Sequence, residues 1–281
     1  MAVDAKTVKE LRDRTGLGMG KCKEALEQVG GDLDKAVEFL RKAGVASAVK
    51  KESRATNEGR IEAMETSEKI VLVEANAETD FVVNNERFGH FHVNVCHELL
   101  MNESASLSDF MSQKYSKNPE QSIDDYRKEV VAVLGENIVV SRVLSITKRQ
   151  DCSYSFYSHM GGKIVTVVEI SGAADEAQLA KEIALHIAAE APDYLSSQDI
   201  PSEIVDKERE IAAAQVKGKP ENIIEKIVDG KLKAFYEQVC LLNQKFIKDP
   251  SITISDLVAA KGKAAGKNLS VTRFIRWQIG R

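Results

Sequence analysis

Between two apolar runs, "KIVLVEA" (69–75) and "FGHFHVNVCHELL" (88–100), lies "NAETDFVVNNERF" (76–88). The first run predicts a strand and the second a helix, so the stretch between them is expected as a corner loop. In it a carboxylate, Asp80, stands directly beside a large aromatic, Phe81. Read from the residues alone, Phe81 closes the core at the corner and Asp80 caps the helix. The alternative is that the pair is functional.

Other reactive side chains carry weaker signals. "GLGMGKC" (16–22) superficially matches a phosphate loop, which needs G-x-x-x-x-G-K-[S/T] after a strand. Thr15 and Cys22 occupy the first and last required positions, and no strand precedes them. A helix–turn–helix junction is expected there. His90, His92 and His97 crowd one predicted helix, but two helical ligands for one ion want i, i+4 spacing. His90 and His97 are two turns apart, about 10 Å, so packed or solvated histidines are expected. Cys22, Cys96, Cys152 and Cys240 include no C-x-x-C. They fit neither a zinc site nor a disulfide framework, and read as small buried residues in a reducing, cytoplasmic setting. A hydrolase would have to use Cys152, His159 or His186, and nothing marks a nucleophile and its base. Lys217, Lys219, Lys226, Lys231 and Lys233 read as a solvated face. No cofactor or metal is expected.

The elements that would position these groups follow from periodicity. Residues 4–43 predict three short helices. Val8 and Leu11 share a face, and Cys22, Ala25, Leu26 and Val29 make a second stripe. After Gly30-Gly31, Asp32 is placed as an N-cap before Leu33, Ala36, Val37 and Leu40. The polar stretch from residue 50 to 60 reads as a linker. A weak repeat follows: "KIVLVEA" from Lys69 and "KIVTVVE" from Lys163 are offset by 94, and His92 and His186 share that offset. Each copy begins with a predicted strand and turn, the second through Gly161-Gly162, and continues into a helix. "NIVVSRVLSI" (137–146) predicts another strand. Ile204, Val205, Ile211, Ala212 and Val216 form a narrow helical stripe, and Ile223, Ile224 and Ile227 resume it after Pro220. The final "VTRFIRWQIGR" predicts a strand alternating Ile275, Trp277 and Ile279 against Arg276 and Gln278.

The expected fold class is therefore α+β. Residues 1–50 form a three-helix domain, 51–60 a linker and 61–140 a first core subdomain. Residues 141–195 and 240–281 form a second subdomain, interrupted by a helical hairpin over 196–239. A chain of 281 residues suits several domains. A net charge of −4 argues against a nucleic-acid binder driven by phosphate contacts, and against an anionic-membrane binder. No apolar run reaches the roughly 18 residues of a membrane span. The N-terminus lacks signal-peptide and transit-peptide patterns and reads as the start of a folded helix.

"VKELRDRTGLGMGKCKEAL", "GGDLDKAVEFLRKAG", "NAETDFV", "GENIVVSRV" and "FIRWQIG", in that order and spacing, resemble the elongation factor Ts family. Its members are bacterial guanine-nucleotide exchange factors of elongation factor Tu. The resemblance runs over essentially the whole sequence. It implies a ubiquitin-associated-like N-terminal domain, a duplicated α+β core and an inserted coiled-coil-like hairpin. It also implies a translation elongation factor that breaks no covalent bond, binds GDP-bound and nucleotide-free elongation factor Tu, and promotes GDP release.

The family's Thr-Asp-Phe-Val motif falls on Thr79, Asp80, Phe81 and Val82. There the aromatic enters between two helices of the partner's nucleotide domain, and the acid disturbs the water shell of magnesium. Further implied partner contacts are Gly135, Glu136 and Asn137 with Leu134 before them, His159 in a hairpin, and the Gly18-Met19 turn. Ala77 stands where the family often has Cys. Many relatives continue with an acidic C-terminal helix that docks on the partner, whereas this sequence ends at Arg281. The hairpin is a candidate for dimerisation or for docking on the partner. No direct nucleic-acid or membrane contact is implied. The competing reading is a non-catalytic adaptor whose three-helix domain binds a partner protein.

Overall fold

The computed structural model describes residues 3–216 and 220–280. The chain folds as α+β in two compact units, one reaching Thr147 and one over Lys148–Gln278.

The first unit opens with α1 (Ala5–Thr15), α2 (Met19–Gln28) and α3 (Leu33–Val49). Their apolar stripes meet in a small core of Val8, Leu11, Cys22, Ala25, Leu26, Ala36 and Leu40, as a 3.6-residue period requires. Asp32 caps α3, its Oδ1 accepting from the N–H groups of Asp34 (3.1 Å) and Lys35 (3.0 Å). Gly16 ends α1 in the left-handed region at φ 69°, and Gly18 opens α2. The glycine-rich stretch is thus a helix junction, and among the described residues no strand precedes it.

Next come β1 (Glu58–Glu65), β2 (Lys69–Ala77), α4 (Asp80–Val83) and α5 (Glu86–Met101). They are followed by α6 (Leu107–Ser112), a small hairpin of β3 (Lys114–Tyr115) and β4 (Asn118–Ser122), α7 (Ile123–Leu134) and β5 (Ile138–Thr147). The antiparallel sheet has the order β1-β2-β5. Helices α5 and α7 bury Phe88, Phe91, Val95, Leu99, Val130 and Val131 with Val71, Val73 and Ala75 of the sheet. Two sequence boundaries shift. β1 starts inside the expected linker, because an edge strand draws its partners from backbone and tolerates a polar sequence. β5 runs past residue 140, where the first subdomain was expected to end. It pairs with β2 as far as Thr147, and cutting it would orphan that ladder. Helix α3 also outlasts its expected end near residue 43. Gly44 lies against α7, where an added Cβ would come within 3.0 Å of Ala132.

The second unit repeats this order: β6 (Cys152–His159), β7 (Ile164–Ser171), α8 (Ala177–Glu190), then the hairpin α9 (Ser202–Ala214) and α10 (Glu221–Val239). After these come β8 (Lys245–Phe246), β9 (Asp249–Thr253), α11 (Ile254–Ala265) and β10 (Ser270–Gln278), with sheet order β10-β7-β6. The strand correspondence is 95 residues rather than 94. Val71 and Val73 face the first core and Val168 and Ile170 the second, so Val73 matches Val168. The ion pairs agree: Glu74 with Arg142 and Glu169 with Arg273, each beside a bulge in the partner strand. A one-residue slip would turn every side chain to the other face.

The histidines that share the 94-residue offset consequently have different partners. His92 bonds the Val73 carbonyl, whereas His186 reaches Gln244 and accepts the Ile247 N–H. The repeat also extends further than the first strands and helix. "QKY" at 113–115 and "QKF" at 244–246 recur. Capping boxes at Ser122/Asp125 and Thr253/Asp256 then open α7 and α11.

The hairpin α9–α10 lengthens this second interval. Its two ends are tied, since the N–H groups of Asp193 and Tyr194 both donate to Val239 O (2.9 and 3.0 Å). Ala212, Val228 and Leu232 form its seam, with Val205 and Ile224 beside them. Ile204 and Ile211, grouped with that seam by spacing, are exposed instead. Lys226, Lys231 and Lys233 are solvated, while Lys217 and Lys219 lie outside the described residues. In β10 the bulge near Thr272 changes the phase, so Phe274 rather than Ile275 packs on the second core.

Candidate functional site

β2 ends at Ala77, and two residues later the chain enters α4, a single turn of four residues. One helical turn is not stable by itself, because nucleation costs more than its few hydrogen bonds return. Two anchors hold it. Val82 and Val83 are buried in the first core. At the other end the Thr79 Oγ1 accepts the Val82 N–H (3.4 Å). Thr79 is therefore the cap and Asp80 the first helical residue, in place of the expected Asp80 cap.

With Val82 and Val83 turned inward, Asp80 and Phe81 face outward. Phe81 is 85 % exposed, so it does not close the core. A phenyl ring left in water adds little to the stability of the fold.

The loop after α7 braces this turn. Gly135 takes φ 85°, a left-handed conformation that glycine adopts freely, and delivers Glu136 to Thr79. Thr79 donates its N–H to Glu136 Oε2 (3.0 Å) and its hydroxyl proton to Glu136 Oε1 (2.7 Å). In the opposite sense Glu78 Oε1 accepts the Asn137 N–H (2.7 Å) and an N–H of Arg54 (3.3 Å). The Asn137 side chain is 1 % exposed and donates to the carbonyls of Arg54 (2.9 Å) and Glu52 (3.4 Å). It cannot touch a partner in this arrangement; it holds the connector against the loop. Leu134 is half-buried on the first core. Nothing in the sequence marks these two braces: Glu136, implied as a partner contact by the resemblance, binds Thr79 within its own chain, and Glu78 lies just before the Thr-Asp-Phe-Val motif.

The remaining sequence candidates lie on other elements. Gly18 is exposed with open space where a Cβ would be, and Met19 beside it is exposed. His159 ends β6 in the second unit, its Nδ1 3.1 Å from the Tyr157 hydroxyl, next to exposed Met160. Cys152 and His159 terminate opposite ends of that eight-residue strand, about 23 Å apart, too far for a nucleophile and its base. Burial raises the Cys152 thiol pKa, and His186 is fully buried. Among the described residues, no three metal-ligating side chains cluster, and no helix is long and apolar enough to cross a membrane.

His92, close to this framework, supplies a pH test. It is 1 % exposed, and its Nε2–H donates to Val73 O (2.9 Å). Burial lowers its pKa to about 4, and the nearby Arg60 charge adds to the effect. The unfolded chain then takes up this proton first as pH falls. The stability due to neutral His92 is complete above about pH 6.5 and lost toward pH 4, a change of about 3 kcal/mol. Urea unfolding at pH 7 and pH 4.5 measures it. His92→Gln keeps a donor for Val73 and should flatten that limb of the profile; an unaltered profile would exclude His92 as its source.

The description "Elongation factor TS" belongs to the family model that matches residues 78–281. The chain is 54 % identical over 279 residues to elongation factor Ts of Protochlamydia amoebophila, covering 99 % of each. It is 44 % identical over 274 residues to elongation factor Ts of Chlamydia muridarum, covering 98 % of this chain and 97 % of that one. A match to elongation factor Ts of Chlamydia trachomatis serovar L2b, at 43 %, has the same coverage. Identity sustained from the first helices to the last strand places the chain in the elongation factor Ts family of translation elongation factors.

Proposed function

We propose that this chain binds elongation factor Tu carrying GDP and accelerates GDP release, remaining bound to the nucleotide-free partner. Phe81 acts as a wedge and Asp80 as its electrostatic companion at the magnesium site. The observation that carries this reading is an aromatic ring 85 % exposed on a turn whose backbone is braced from two sides. Met19 and His159, both exposed, with Gly18, Gly135 and Leu134, would hold the ring in register. Asn137 serves the same end from inside.

No bond in GDP breaks. Linkage requires that if this chain weakens GDP binding, GDP weakens binding of this chain by the same factor. The chain therefore sets no preference for GTP, and nucleotide concentrations supply direction. Release of a fluorescent GDP from elongation factor Tu, with and without this chain at two magnesium concentrations, tests the proposal. Release in the presence of the chain is expected to be faster at low magnesium, because the ion stabilises the nucleotide-bound state. No acceleration at either concentration rejects it.

Asp80→Ala is expected to slow exchange less than loss of the ring, by roughly three- to tenfold. That defect should shrink when magnesium is chelated. A defect of equal size without magnesium would give the carboxylate another role.

A further inference from the structure

We infer that Glu136 is a positioning residue for exchange: it acts through Thr79 to aim the Phe81 ring, and it does so inside its own chain. The inference rests on the proposed role of Phe81.

Three facts about the turn lead to it. Phe81 is almost free of contacts, so its direction is set by the backbone of α4 and by nothing packed on the ring. That helix is one turn long and starts at a threonine cap. The cap in turn depends on the carboxylate. A hydroxyl has one proton and two lone pairs. Glu136 Oε1 takes the Thr79 proton at 2.7 Å, which leaves a lone pair facing the Val82 N–H at 3.4 Å. Glu136 Oε2 meanwhile accepts the Thr79 backbone N–H at 3.0 Å. One carboxylate thus fixes both the backbone entering the turn and the rotor that caps it.

Other acceptors for Thr79 would be water, which would let the hydroxyl rotate and the turn fray. Glu136 is half-buried and the Asn137 N–H beside it is held by Glu78 (2.7 Å). The loop carrying the carboxylate is therefore itself tied to the strand end that it braces. A charged acceptor makes the stronger kind of hydrogen bond, which suits a joint that must keep its angle while a ring is driven into a partner.

The test is epistasis. Glu136→Ala and Thr79→Val should each slow GDP release at saturating concentrations about tenfold, the scale of a lost cap. The half-saturating concentration should change little. Glu136→Gln retains the shape, with one acceptor and one donor in place of two acceptors, and should fall between; it also serves if Glu136→Ala folds poorly. In a Phe81→Ala background, Glu136→Gln and Glu136→Ala should slow exchange no further, because there is no ring left to aim. An unchanged rate in the otherwise unaltered chain overturns the inference. So does an equal slowing in both backgrounds, which would mean that Glu136 meets the partner itself. If Phe81→Ala alone leaves the rate unchanged, the wedge reading fails first, and this inference with it.

Discussion

Phe81→Ala is expected to slow GDP release from elongation factor Tu by between about ten- and a hundredfold. Fully burying a phenylalanine stabilises a complex by about 1.5–3 kcal/mol, and each 1.36 kcal/mol of barrier is about tenfold in rate. The ring reaches that limit only if the partner desolvates it completely. In the free chain it is 85 % exposed, so its removal takes no packing from the fold and the unfolding midpoint should stay where it was. This separates the prediction from ordinary core truncation, which costs about 3–5 kcal/mol of stability. Affinity for the nucleotide-free partner should fall less than the rate, since the rest of the interface remains. By linkage, the preference for nucleotide-free over GDP-bound partner should narrow by the factor that GDP release loses at equilibrium. Stopped-flow release of fluorescent GDP and titration of both partner states measure the two effects. A variant with native stability and an unchanged rate would remove the ring from the mechanism.

Arg127→Met should destabilise the first unit by about 1–3 kcal/mol, the scale of losing a charged donor to the Ile138 carbonyl, since the Asp124 and Glu52 carboxylates are partly exposed. Arg127 is buried, and its guanidinium joins three segments. Its Nε donates to Asp124 Oδ1 (2.6 Å), Nη1 to Ile138 O (2.9 Å) and Nη2 to Glu52 Oε1 (3.3 Å). These contacts tie α7 to the first residue of β5 and to the connector after α3. Burial pushes the Asp124 carboxyl up, but the bonds from Arg127 and Lys128 together outweigh it and hold Asp124 below the usual range.

Methionine fills most of the space and supplies no donor, so Ile138 O loses this bond and Glu52 is released. Urea unfolding should show the lower midpoint, and trypsin should cut sooner at Lys50, Lys51 or Arg54. Arg127→Lys keeps the charge but offers a point donor in place of a fork, so it should recover only part of the loss. Unchanged stability and unchanged proteolysis in Arg127→Met would show that the guanidinium is not the clamp.

Periodicity and order of elements, read along the chain, were enough for the α+β class, the first three helices, the Asp32 cap and the strands from Lys69 and Ile138. These depend on neighbours within about seven residues, where helical and strand spacing bring apolar side chains to one face. Asp80 and Phe81 stand out as an acid beside an aromatic in a corner, but periodicity assigns them to a cap and a core position, and the motif 79–82 comes from the family resemblance. The repeat was visible, but its strand register was one residue out. Matching letters cannot tell which face of a strand is buried, and only packing of Val73 and Val168 against their own helices decides it. The continuation of the repeat in "QKY" and "QKF" was present in the letters, and the inserted hairpin hid it by changing the interval.

Tertiary structure alone decided which way Phe81 points, because that depends on Val82 and Val83 finding the core and on Glu136, 57 residues along the chain from Thr79. It likewise turned Asn137 from a surface contact into a buried brace, and made part of a polar linker into an edge strand. A side chain's surroundings are set by residues distant in sequence, and the hydrogen bonds that fix them leave no periodic trace along the chain.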